Sequence, residues 1–203
     1  MGGSHPRNES RPMRPSEVIT LFRECGAWKE GHFQLTSGQH SREYMQCATV
    51  LQYPTLASRL CQALSQRFMT DEITCVAAPA LGGILVGYET ARHLGVRSVF
   101  AEREDGKLRF RRAFELGPKD RVLVTEDVVT TGESVDELIQ LVQDPGATVV
   151  GVGALVDRSG GWAAFDVKYH ALLSLNLKTF PPDNCPLCKE GIPINKQGSR
   201  ALR

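Results

Sequence analysis

The 203-residue chain contains no uninterrupted apolar run approaching the roughly 20 residues of a bilayer-spanning helix, so no membrane role is expected. Its first fifteen residues, MGGSHPRNESRPMRP, hold no apolar stretch of the kind a secretory signal needs, and a cytoplasmic protein is expected. They are rich in Gly, Pro, Ser and Arg and read as a disordered tail. Neither sign of charge dominates: 24 Lys+Arg face 23 Asp+Glu, a formal net charge of +1. That argues against an electrostatic nucleic-acid binder. No internal repeat and no linker divides the chain. Metal-ligand patterning is also sparse. The five histidines are scattered, and none has ligand spacing with another His or with a Cys. Of six cysteines, Cys25, Cys47, Cys61 and Cys75 lie among apolar neighbours and read as reduced core residues. Cys185-Pro-Leu-Cys188 is a CxxC with no second pair nearby. It reads as a structural tail knuckle, or as half of a site shared between subunits.

What is present fits one globular domain, with 41% hydrophobic residues and enough length for a substantial core. Residues 16–25 place Val18, Leu21, Phe22 and Cys25 on one face of a helix, with Ser16 as N-cap. Residues 28–41 are short strand and turn material, and 44–50 a mixed stretch. Pro54 opens a second helix with Ala57, Leu60, Cys61, Leu64 and Phe68 on one face. Residues 73–78 form a buried strand, 79–83 a turn, 84–94 a third helix and 96–101 a strand. Asp105-Gly106 marks a charged hairpin over residues 103–112. Residues 147–156 and 169–175 are further strands, and 178–203 a Pro- and Gly-rich tail. This alternation predicts an α/β fold, an open and mainly parallel twisted sheet flanked by helices. A small covering subdomain is expected from residues 16–50 with parts of the tail, all within a single domain, 16–203. Ligands of such sheets bind beyond the carboxyl ends of the strands. The turns at 79–83, 126–134 and 157–161 should therefore converge on one site.

The most informative stretch is RVLVTEDVVTTGESVD, residues 121–136. Val122, Leu123, Val124 and Thr125 form an apolar, β-branched run. Glu126 and Asp127 follow where the run should leave the core. Thr130-Thr131-Gly132-Glu133-Ser134 is a hydroxyl-rich turn. Val135, Leu138, Ile139 and Val142 then recur at helical spacing. A helix start offers unpaired N–H groups and the positive end of the dipole, which suits a phosphate. Gly132 permits close backbone approach, and three hydroxyls add donors. Two carboxylates cannot hold a phosphate, but they can hold sugar hydroxyls or a metal on the same ligand. The pattern therefore fits a phosphorylated sugar.

This stretch resembles the 5-phosphoribosyl-1-pyrophosphate (PRPP) motif of type I phosphoribosyltransferases. The resemblance implies PRPP binding by Glu126, Asp127, Val128, Val129, Thr130, Thr131, Gly132, Glu133 and Ser134. Phe33–Gln46, FQLTSGQHSREYMQ, resembles the N-terminal signature of the family's orotate branch. Thr36 stands where that signature has lysine. Tyr44 and Met45 stand on the pair that packs against the base. Residues 78–83 resemble the pyrophosphate loop, with Ala80-Leu81 at the place of a strained, often cis, peptide and Leu81-Gly82 where a lysine is common. The hairpin 103–112 falls on the mobile catalytic loop, with Arg103 and Lys107 as its phosphate-clamping cations and Glu104 where a second basic residue is usual. Arg158 falls on the arginine that holds the orotate carboxylate, a task for a bidentate guanidinium. The resemblance spans residues 18–175.

It implies an enzyme that transfers the 5-phosphoribosyl group from PRPP to orotate. Orotidine 5′-phosphate and pyrophosphate are the products, in pyrimidine synthesis. Arg103, Lys107 and Asp127 would be catalytic. Thr36, Tyr44, Met45, Thr130 and Arg158 would bind orotate, and Ala80, Leu81 and Gly82 would join the PRPP set. Mg²⁺ would ride on PRPP with no direct protein ligand. A homodimer is implied, each loop 103–112 reaching the partner's site. Two rival readings stand beside it: a transferase for another base, such as a purine, and a PRPP-sensing regulator without catalysis.

Overall fold

The structure, a computed structural model, describes residues 11–196. In chain order its elements are α1 (Pro15–Glu24), β1 (Trp28–Gln34), β2 (His40–Met45), α2 (Cys47–Leu51) and α3 (Pro54–Ser65). These are followed by β3 (Cys75–Pro79), α4 (Gly82–Leu94), β4 (Arg97–Glu104), β5 (Lys107–Phe110), β6 (Arg121–Val129) and α5 (Glu133–Gln143). The chain closes with β7 (Thr148–Asp157), β8 (Tyr169–Ser174), β9 (Thr179–Phe180), α6 (Pro186–Lys189) and β10 (Asn195–Lys196). No helix among the described residues is long and apolar enough to cross a membrane.

Six strands form the main sheet in the order β5-β4-β3-β6-β7-β8. All neighbours pair in parallel except β4 and β5, the predicted hairpin. Its turn residues Asp105 (φ 51°) and Gly106 (φ 81°) are both left-handed, as a two-residue hairpin turn requires. The central strands are continuous apolar runs because both faces are covered. All five residues of β3 are buried, and so are Val122–Thr125 of β6. One face packs against α1, α3 and α4 through Phe22, Leu60, Leu64 and Val86. The other packs against α5 through the predicted stripe Val135, Leu138, Ile139 and Val142. The fit just beyond α3 is close: a Cβ on Gly151 of β7 would sit 2.8 Å from the ring of Phe68, in the short 3-10 turn that follows the helix.

A second sheet runs β10-β1-β2-β9. Its middle hairpin comes from the N-terminal region, while both outer strands come from the tail, which the sequence reading left irregular. Two-residue strands carry no periodic signal, so only their partners reveal them. Two further boundaries differ. Helix α1 begins with Pro15 at its first position, one residue ahead of the expected Ser16 cap, because proline needs no N–H there. The mixed stretch at 44–50 splits into the end of β2 and the start of α2. Residues 1–10 of the expected disordered tail lie outside the described residues. Arg11 and Arg14 both bond Glu17 of α1.

The sequence also left the histidines and the CxxC as unrelated. The fold brings His32, His40, Cys185 and Cys188 together, with ligand atoms all within 4.8 Å of one another. The tail crosses to β1 and β2, and that crossing has no trace in sequence spacing.

Candidate active site

Strand β6 stays buried through Thr125 and opens at Glu126, so the two acids stand at the carboxyl end of the sheet's central strand. The Asp127 N–H donates to Glu126 Oε1 at 3.0 Å, and the Val128 N–H donates to Asp127 Oδ1 at 2.9 Å. These bonds hold both carboxylates near the backbone. Burial, and then the neighbouring Asp127 carboxylate, push Glu126 up to about 9. Ionising both acids at once is therefore disfavoured in the free chain, and a ligand that brings hydroxyl donors or a cation would favour it.

Past the acids the chain turns into α5. Gly132 caps the helix at φ 90°, a conformation that favours glycine. Its carbonyl accepts the N–H groups of Val135 and Asp136, both at 2.9 Å. Glu126 and residues 128–135 line a single hollow at this helix start. Thr130, Thr131 and Glu133 are exposed, and Ser134 is half-buried. Val129 is buried beneath them.

The two other predicted turns arrive at the same place. Gly82 and Gly83 open α4 directly against the acids. A Cβ on Gly82 would lie 2.5 Å from Asp127 Oδ2, and one on Gly83 would lie 3.0 Å from Glu126 Oε1. Side chains at either position would displace a carboxylate. The Ala80–Leu81 peptide is cis, where the family resemblance put it. From the third turn, the Arg158 N–H donates to the Val129 carbonyl at 2.8 Å. Asp157 accepts from the Ser159 N–H at 2.7 Å and makes no ion pair with Arg158 among the described residues. The Arg158 side chain is exposed.

The hairpin cations are held differently from one another. Arg103 lies over its own chain: its guanidinium donates to the Ser134 hydroxyl at 3.3 Å and to the Gly106 carbonyl at 2.6 Å, and pairs with Glu137 at 2.9 Å. Lys107 is exposed. Glu104 pairs within the hairpin, with Arg109 at 3.5 Å and Arg111 at 3.7 Å. Sequence reasoning missed Glu137. Its carboxylate also accepts the Leu108 N–H at 2.6 Å, so this one side chain of α5 ties the hairpin to the helix that starts at the phosphate loop. A helical glutamate that looks solvent-facing gives no sign of a partner 29 residues away.

Thr36 and Tyr44 lie in the hairpin of the small sheet. Thr36 is exposed in the β1–β2 turn, beside Gly38 at φ 81°. The Tyr44 ring packs on Phe33 with centroids 5.5 Å apart, and its hydroxyl bonds Gln46 at 3.3 Å. Met45 is 2% exposed and sits in the core with Trp28 and Val50. Neighbouring strand residues point to opposite faces, so Tyr44 and Met45 do not form one platform. That corrects the expectation of a base-packing pair: the half-buried Tyr44 is the member with an open side. The small sheet reaches the acids through α2, where Cys47 Sγ lies 3.8 Å from the Asp127 carbonyl.

An acid pair, a hydroxyl-rich helix start and a glycine turn thus meet at the carboxyl ends of a mainly parallel sheet. The family of the phosphoribosyl transferase domain matches residues 48–181. An orotate phosphoribosyltransferase of Desulforamulus reducens is 54% identical, covering 94% of this chain and all of the relative. The counterpart of Pelotomaculum thermopropionicum is 50% identical over the same shares. Among solved structures, orotate phosphoribosyltransferase from Aeropyrum pernix aligns with a TM-score of 0.65 and 25% identity, over 78% of this chain and 93% of that one. The chain belongs to the phosphoribosyltransferase family and, by these near full-length relatives, to its orotate phosphoribosyltransferases.

Proposed function

We propose that the chain transfers the 5-phosphoribosyl group of PRPP to orotate, giving orotidine 5′-phosphate and pyrophosphate. The observation that carries this reading is the meeting of the acid pair, the phosphate loop and the Gly82–Gly83 turn at one sheet edge, in a chain 54% identical to an orotate phosphoribosyltransferase. A panel of bases incubated with Mg²⁺ and PRPP tests it. Orotate absorbance should fall while adenine, hypoxanthine and uracil persist. A purine consumed in its place, or no base consumed, would overturn the assignment.

Displacement at the anomeric carbon passes through an oxocarbenium-like state, so no protein nucleophile is required. The protein's contribution is positioning and charge placement. Glu126 and Asp127 accept hydrogen bonds from the ribose hydroxyls. The Thr130–Ser134 amides and hydroxyls hold the 5-phosphate. Ala80, Leu81 and Gly82 bring backbone to the pyrophosphate, for which Arg103 and Lys107 supply the cations. Arg158 holds the orotate carboxylate, and Thr36, Tyr44 and Thr130 flank the base. Mg²⁺ on PRPP would neutralise pyrophosphate charge. The residues fit it, since two carboxyl groups whose joint ionisation the free chain disfavours stand at the ribose position, and a nearby cation would favour their ionised form. This chemistry belongs to the cytoplasm, where pyrimidine nucleotides are made.

A homodimer is part of the same proposal. At the start of α4, the capping Leu81 is 84% exposed, and along the helix Leu85 is 54% and Tyr88 66% exposed. This apolar stripe at i, i+4, i+7 lies beside a groove walled by Leu51, Pro54 and Ala57. An exposed stripe next to the active turn suits a two-fold contact. In the free chain Arg103 rests on its own Ser134, so a shared site needs the hairpin tip to swing outward with Lys107. Mixing subunits tests this. Lys107→Ala and Asp127→Ala should each be nearly inactive, and refolding them together should restore activity if the loop acts in trans. Inactivity despite verified subunit exchange would rule out the shared site.

A further inference from the structure

The four side chains His32, His40, Cys185 and Cys188 have no part in the transfer site. They come from β1, β2 and the two ends of the Cys185–Cys188 turn. His32, His40 and Cys185 are 0%, 3% and 1% exposed, while Cys188 faces solvent. We propose that they form a tetrahedral zinc site, closed and structural, that clamps the tail onto the small sheet.

Geometry carries the proposal. Zinc bonds of about 2.3 Å to sulfur and about 2.0–2.1 Å to nitrogen set tetrahedral ligand atoms about 3.3 Å apart for N–N and about 3.6 Å for N–S. Here His32 Nε2 and His40 Nδ1 are 3.0 Å apart. His32 Nε2 lies 3.6 Å from Cys185 Sγ and 3.8 Å from Cys188 Sγ, and His40 Nδ1 lies 3.4 Å from Cys188 Sγ. The spacing is that of a coordination shell, reached by donors some 150 residues apart in sequence.

The surroundings agree. His32 Nδ1 donates to the Ile192 carbonyl at 2.7 Å, which leaves Nε2 as the lone-pair nitrogen turned toward the cluster. A metal-bound histidine usually has its other nitrogen tied in this way. Ile192 belongs to the same tail, so the fold that delivers the thiols also sets the tautomer. Two thiolates and two neutral imidazoles balance a divalent ion, giving a neutral unit suited to burial. Binding breaks two S–H bonds, forms two Zn–S bonds and passes both protons to solvent, with no change of oxidation state. Mixed sulfur and nitrogen donors favour zinc over magnesium or calcium, which take oxygen. Four protein donors leave no open position, so the metal does no chemistry. Exposed Cys188 is the way in from solvent. The site joins β1 and β2 to the segment between β9 and β10, the outer strands of the same sheet.

The test uses the whole chain under reducing conditions. Zinc measured by mass spectrometry, after reconstitution and removal of loose metal, should be about one per chain. Cobalt in its place should give tetrahedral visible bands and a thiolate charge-transfer band that saturate at about one equivalent. Cys188→Ser should weaken binding about 100-fold or more, and His40→Gln likewise. If a variant fails to fold, the wild-type cobalt spectrum still decides. Absence of stoichiometric metal and of the charge-transfer band would overturn the proposal. So would a Cys185–Cys188 disulfide as the resident form. Either result would leave the transfer reaction untouched, because the readouts do not involve it.

Discussion

The phosphate loop and the small sheet are assembled by different routes. The loop is contiguous: strand, acids, hydroxyl turn and helix follow one another within residues 121–143. Between the acids and the helix start, N–H groups bond partners one to four residues away, while β6 itself is held between β3 and β7. The small sheet is discontinuous. Its hairpin comes from residues 28–45, while its edges and the Cys185–Cys188 turn arrive from beyond residue 178. A contiguous motif tolerates change elsewhere, whereas a discontinuous one depends on every long-range contact that closes it. Handling of the ribose 5-phosphate should therefore sit in the loop, whereas handling of the pyrophosphate and of the base should be spread over distant segments.

The largest expected effect breaks the loop. Asp127→Asn should lower kcat/KM for PRPP by about 100- to 1000-fold, the scale of a lost charged contact in a transition state. Its melting temperature and zinc content should match wild type, since the amide oxygen still accepts the Val128 N–H. Wild-type turnover would remove the acid pair from the site. Arg158→Ala should raise the KM for orotate about 10- to 100-fold, from the loss of a charge-assisted hydrogen bond. Its KM for PRPP should hardly move, and steady-state kinetics with each substrate varied would separate the two. Tyr44→Ala probes the small sheet. Loss of a ring stacked on Phe33 should raise the orotate KM about 3- to 10-fold and spare PRPP. An unchanged orotate KM would put the base elsewhere.

The smallest effect concerns stability. Glu126 is pushed from about 4.5 to about 9 in the folded chain, so between those pH values the folded state binds the extra proton. Stability from this residue is full below about pH 4.5 and is lost as pH rises toward 9. Glu126→Gln, neutral throughout, should melt within error of wild type near pH 5 and a few degrees higher at pH 8. Parallel melting curves across that range would mean that Glu126 is charged in the free protein.

The sequence alone determined the parts whose causes are local. Helical spacing of Val135, Leu138, Ile139 and Val142 placed α5 and its buried face, and Asp105-Gly106 placed the hairpin turn. Strand–helix alternation determined the mainly parallel sheet, and the run of acids, hydroxyls and glycine placed the turn between β6 and α5. Tertiary structure decided what depends on segments distant in the chain. It set the glycines of α4 against the acids, turned Met45 into the core opposite Tyr44, and tied the hairpin to α5 through Glu137. It alone brought two histidines and two cysteines within 4.8 Å. Those contacts arise where surfaces of separate elements close on one another. Periodicity and spacing describe only what lies within a few residues along the chain.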